Sequence, residues 1–88
     1  MDLAALKELI RTDRLAAGQA LDAALQTKHG SSDPKAMLSL HLLAAEYWSE
    51  DRDQTAFHRT HAYVYALEAG DWATVDKLYS DLAALGRI

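Results

Sequence analysis

Cysteine is absent from the chain, which also holds a single proline, four glycines and one phenylalanine in 88 residues. Without cysteine there is no disulfide staple, no thiolate-ligated zinc and no redox chemistry at sulfur. Proline and β-branched residues are scarce while Ala and Leu abound, and no segment alternates at period two, so strands are not expected. No apolar stretch approaches the roughly 20 residues that cross a bilayer. The start, Met1-Asp2-Leu3-Ala4-Ala5-Leu6-Lys7-Glu8, has no basic region leading into an apolar one, so a cytoplasmic location and no membrane partner are expected. Lys and Arg are nowhere clustered into the stripe that neutralises phosphates, which removes nucleic acid from the expected partners.

What is present is ordinary for a folded protein: 50% apolar and 25% charged residues, enough for one small domain spanning residues 1–88. The net charge of −4 is unevenly spread. Residues 1–35 balance, with five basic and five acidic side chains, whereas residues 36–88 hold four basic against eight acidic. All seven aromatics lie between Tyr47 and Tyr79, so the first thirty residues can pack only with Leu, Ile and Ala.

Capping residues and glycines divide the chain into about five helices, an all-α bundle. The first covers residues 3–10 and the second 14–28, with Thr12 or Asp13 as cap between them; one continuous helix is the alternative, because Leu6, Ile10, Ala17, Leu21 and Leu25 keep nearly helical spacing. Ala16, Ala17, Ala20, Ala23 and Ala24, around Gly18, form a small-residue face for close helix approach. Gly30 suits a left-handed stop, Asp33 a cap and Pro34 the first turn of a third helix over 34–49. That helix is apolar around most of its circumference and is expected at the centre. A fourth helix, 54–69, should bury Ala56, Phe57, Thr60, Tyr63, Val64 and Leu67. After Gly70 and the cap Asp71, a fifth, 72–85, carries Val75, Leu78, Tyr79, Leu82 and Leu85. Val64, Leu67, Val75, Leu78 and Leu82 are expected to share one core.

Around Gly70-Asp71-Trp72, with Val75, Tyr79 and Leu82-Ala83 following at that family's spacing, residues 59–85 resemble a tetratricopeptide helical hairpin. Arg59, Ala62, Tyr63 and Ala66 depart from the residue types it prefers in the preceding helix. No second copy occurs at a period of about 34 residues, so the resemblance implies a hairpin geometry rather than a repeat array. The positions lining that family's groove fall on Phe57, Thr60, Val64 and Leu67, whose apolar character implies cover by another helix.

His58 and His61 stand three apart on one helix, followed on the same side by Tyr65 and Glu68, a spacing that lets two imidazoles face one metal ion. His41 and Glu46 are some 140° apart on their own helix and cannot easily complete one shell. The plainer reading makes His58 and Tyr65 half-exposed, gives His61 a bond to Glu68 or solvent, and makes His41 a satisfied core or interface histidine. His29, Ser31, Ser32 and Asp33 are explained by loop capping, since a triad needs a base from a separate element and an oxyanion hole.

With no phosphate loop and no paired-carboxylate motif, no enzymatic activity and no cofactor are expected. The reading is a small protein-interaction module, an adaptor or regulatory subunit, that docks a protein partner or forms a homodimer through Leu38, Leu42, Tyr47 and Trp48. The alternatives are a metal-binding helical protein centred on His58 and His61, and a structural homo-oligomer built on the alanine-rich first hairpin.

Overall fold

The computed structural model describes residues 2–28 and 33–88, and the described residues form five helices and no strand. In chain order these are α1 (Leu3–Thr12), α2 (Arg14–Lys28), α3 (Pro34–Tyr47), α4 (Arg52–Ala69) and α5 (Trp72–Ala84). The expected stop at Gly30 and the loop residues His29, Ser31 and Ser32 lie outside the described residues.

Each helix begins on an aspartate. The carboxylates of Asp2, Asp13, Asp33, Asp51 and Asp71 accept the backbone N–H groups of Ala5, Ala16, Ala36, Gln54 and Thr74, three residues on, at 2.9 to 3.2 Å. These bonds satisfy donors that a helix start leaves without an intrahelical partner. Asp13 also decides between one helix and two. Its backbone leaves the helical region (φ −153°, ψ 88°) as it closes α1 with an N–H bond to Leu9, and its side chain opens α2. At the other break, Gly70 takes φ 72°, the left-handed conformation that a side chain would strain, and ends α4.

α3 is the centre, packing against α1 and α2 on one side and α4 on the other, with α5 laid on α4. The apolar interior accordingly divides in two. Leu6, Leu21, Leu40 and Leu43 join α1, α2 and α3, with Tyr47 and Trp48 packed against them. Leu38, Ala62, Ala66, Val75 and Leu78 join α3, α4 and α5.

α4 is rotated from the expected orientation. It buries Thr55, Ala56, His58, Ala62 and Ala66, while Phe57, Val64 and Leu67 are 52%, 47% and 40% exposed and Thr60 is exposed too. Val75, Leu78 and Leu82 are therefore core residues as expected, but Val64 and Leu67 are not. The small side chains of Ala62 and Ala66 let α4 approach its neighbours closely, and the large ones turn outward as a result.

Candidate functional site

Two features are left by this packing: a group of imidazoles between α3 and α4, and the outward face of α4. The imidazoles start from His41, seven residues into α3 and inside its apolar arc, and His58, on the inner face of α4. Both are buried, and their Nδ1 atoms lie 3.1 Å apart. One ring donates its Nδ1–H to the lone pair of the other, so the pair is held by a single shared proton. The expectation for His41 as a satisfied histidine agrees with this geometry. His58 departs from the half-exposed place expected for it: only 4% of its surface is open.

Aromatic rings enclose the pair. The Trp48 indole stacks on His58 at 5.2 Å, and Phe57 meets His58 edge to face at 5.0 Å. His61 stacks on His41 at 5.0 Å and lies 4.4 Å from Phe57, while Tyr65 stacks on the His41 ring at 5.7 Å. His61 Nδ1 donates to the Phe57 carbonyl at 2.9 Å, a backbone partner rather than Glu68 or solvent. A cleft of about 200 Å³ opens beside these rings, lined by Leu25, Gln26, His41, Phe57, His58 and His61. Burial first, and then the neighbouring His61, hold the His58 imidazole below its ordinary value, and the Asp22 carboxylate on α2 only opposes this.

The arrangement satisfies the rings through each other and through backbone. His58 turns its Nδ1 to His41 and His61 turns its Nδ1 to Phe57, so these two nitrogens are engaged within the fold. Among the described residues no three His, Asp or Glu side chains gather as a group that could hold a metal ion. Nor does any described helix have the length and apolar character to cross a membrane.

The four side chains expected to anchor a partner are separated by the fold. Leu38 is 6% exposed inside the α3–α4–α5 core, which removes it from any surface. Tyr47 and Trp48 are half-buried against α1 and α2, 4.8 Å apart and edge to face, and Leu42 alone is exposed. Exposed large apolar side chains lie elsewhere, singly at Leu15, Trp72, Tyr79 and Ile88 and as a row on α4. Phe57, Thr60, Val64 and Leu67 recur at intervals of three, four and three residues, the spacing of one seam along a helix, and nothing among the described residues covers them. Their identity was readable as an apolar stripe; its outward direction was not. Comparison with protein-family models, with curated proteins and with solved structures found no match.

Proposed function

We propose that this chain is a non-catalytic protein-interaction module, an adaptor or regulatory subunit, that docks an amphipathic helix of a protein partner on the outer face of α4. The observation that carries the reading is the exposed stripe of Phe57, Thr60, Val64 and Leu67. Large apolar side chains in register on a helix face that the fold leaves open are expensive in water, and a second helix with matching spacing removes them from it.

Charge selects among occupants. From Thr60 to Asp76 the sequence has no Lys or Arg but has Glu68, Asp71 and Asp76. Arg59 directly precedes this stretch and Lys35 acts on Asp71, while Arg87 bonds Asp53, Lys77 bonds Asp81, and Arg52 donates to the Leu85 carbonyl at 2.9 Å. A partner helix with Lys or Arg beside its apolar stripe complements this rim. A second copy of the chain does so poorly. Two copies would bring two acidic rims together, since Glu68, Asp71 and Asp76 follow the stripe in both. The α4–α5 hairpin about Gly70 and Asp71 supports the tetratricopeptide-like reading of residues 59–85, in which such a face is covered by a helix.

Two designed helical peptides with one leucine stripe, flanked by Lys in the first and by Glu in the second, test this in calorimetric titrations. The Lys peptide is expected to bind and the Glu peptide to bind at least about tenfold more weakly, a difference of ~1.4 kcal/mol. Binding of neither peptide, with a dimer mass at sedimentation equilibrium, would replace the docked helix by a second copy. Binding of neither, with a monomer mass, would remove the reading.

A further inference from the structure

We propose that the cleft between α3, α4 and α5 binds a small amphipathic monocarboxylate, whose carboxylate pairs with Arg59 and whose apolar body lies on Leu42, Ala45 and Leu78. This cleft is separate from the outer face of α4, and the proposal does not depend on the docking reading above.

The cleft follows from how the three helices meet. α3 and α5 both pack on α4, yet their backbones do not approach each other. Leu42, Ala45 and Ser49 face the gap from the C-terminal half of α3, and Lys77, Leu78 and Asp81 face it from α5. Arg59 enters from α4, three residues before the buried Ala62. Together they line about 340 Å³, within the range of clefts that hold small organic molecules.

Most charge at this cleft is already engaged or lies at its edge. Lys77 is tied to Asp81 at 3.0 Å, and the Thr74 hydroxyl, also in the wall, donates to Asp71 at 2.7 Å. Glu46 is exposed at the rim, where it also lines the hollows between α1 and α3 beside Lys7 and Arg14. Arg59 differs from these. It is half-buried, and among the described residues neither a hydrogen bond nor an ion pair holds its guanidinium.

A guanidinium partly withdrawn from water without an acceptor is costly, and a carboxylate answers it with two parallel N–H···O bonds. The rest of the wall selects what carries that carboxylate. Leu42, Ala45 and Leu78 offer apolar contact to the body of the ligand. Glu46 and Asp81 repel a second negative charge, so a monoanion is favoured over a dianion.

The test titrates hexanoate into the isotope-labelled chain by NMR, with acetate, hexylammonium and inorganic phosphate as comparison probes. Hexanoate should saturate with a Kd on the order of 1 mM, shifting the Arg59 Nε–H resonance and the amides of Ser49, Thr74 and Leu78. Acetate has the charge without the body and hexylammonium the body without the charge. Both should bind at least about tenfold more weakly, as should phosphate. Arg59→Gln should weaken hexanoate at least about tenfold, and Arg59→Lys, which keeps the charge but not the planar fork, about threefold. Should Arg59→Gln fail to fold by circular dichroism, the ranking of the four probes on wild type decides alone. The proposal is overturned if hexanoate does not saturate, or if hexylammonium or phosphate binds as tightly. Shifts centred on Phe57 and Val64, or unchanged affinity in a folded Arg59→Gln, would overturn it equally.

Discussion

The Tyr47 hydroxyl fills the space that a side chain at Gly18 would need: a β-carbon there would stand 2.7 Å from the phenolic oxygen. That oxygen donates to the Arg14 carbonyl, Arg14 Nη2 donates back to the Tyr47 carbonyl at 2.6 Å, and the guanidinium lies 4.5 Å over the Tyr47 ring. The end of α3 is thus clamped to the start of α2 at the one position in α2 without a side chain. Gly to Ala inside a helix ordinarily gains about 1 kcal/mol. Here Gly18→Ala is expected to lower stability by about 1 kcal/mol, because the clamp must open. In a Tyr47→Phe background the same substitution should cost less, because only the ring carbon at 3.2 Å still crowds the added methyl, and equilibrium denaturation of the four proteins of this cycle measures the coupling. Additive effects would contradict the clamp.

Leu78 and Leu67 are both leucines on the α4–α5 hairpin with opposite surroundings. Leu78 is buried among Leu38, Ala62, Ala66 and Val75, so Leu78→Ala should cost roughly 2 to 5 kcal/mol. Leu67→Ala should stay within about 0.5 kcal/mol, as for a surface position. Similar losses in urea unfolding would mean that α4 is oriented as the sequence alone suggests.

That contrast also shows what the sequence disclosed. The starts of α2, α3 and α5 were legible because an aspartate three residues before a backbone donor is local information, and so was the left-handed stop at Gly70. α4 starts on Asp51, two residues before the expected position, because Asp51 rather than Asp53 takes the capping bond. The central place of α3 followed from an apolar arc too wide for solvent. The rotation of α4 did not follow, because its inner face is built on Thr55, His58, Ala62 and Ala66, which carry less hydrophobicity than Phe57, Val64 and Leu67. Only contact with α3 and α5 shows that small size decides. The Trp48–His58 stacking and the His41–His58 bond were hidden for the same reason. The one signal for them was that His58 shares a face with Ala62 and Ala66 at helical spacing.

Stability should depend on pH through His58. Its folded-state value lies below the ordinary 6.5 of an unfolded chain, so the unfolded state binds the proton more readily. The stability contributed by the neutral ring is complete above the unfolded value. It is lost as pH falls through 6.5 toward the lower folded value. The urea midpoint should therefore drop between about pH 7.5 and about pH 5, and His58→Asn should flatten that part of the profile. A midpoint that rises on acidification in this range would contradict the sign.

The docking face predicts a division among α4 variants. Val64→Glu should leave the fold intact, since Val64 is half-exposed, yet should abolish binding of the Lys-flanked peptide to within the detection limit. Leu42→Glu, on the exposed side of α3, should leave peptide affinity within about twofold. Circular dichroism checks the fold and calorimetry the binding. Equal losses in the two variants would place the anchors on α3 after all.

Chemical-shift mapping of the isotope-labelled chain with the Lys-flanked peptide locates the surface directly. Perturbations are expected to concentrate on the outward residues of α4, Phe57, Thr60, Val64 and Leu67, with their neighbour Glu68, and to be small at Leu42 and along α1. Saturable perturbations centred on Leu42 and the end of α3, or none at any peptide concentration, would contradict it.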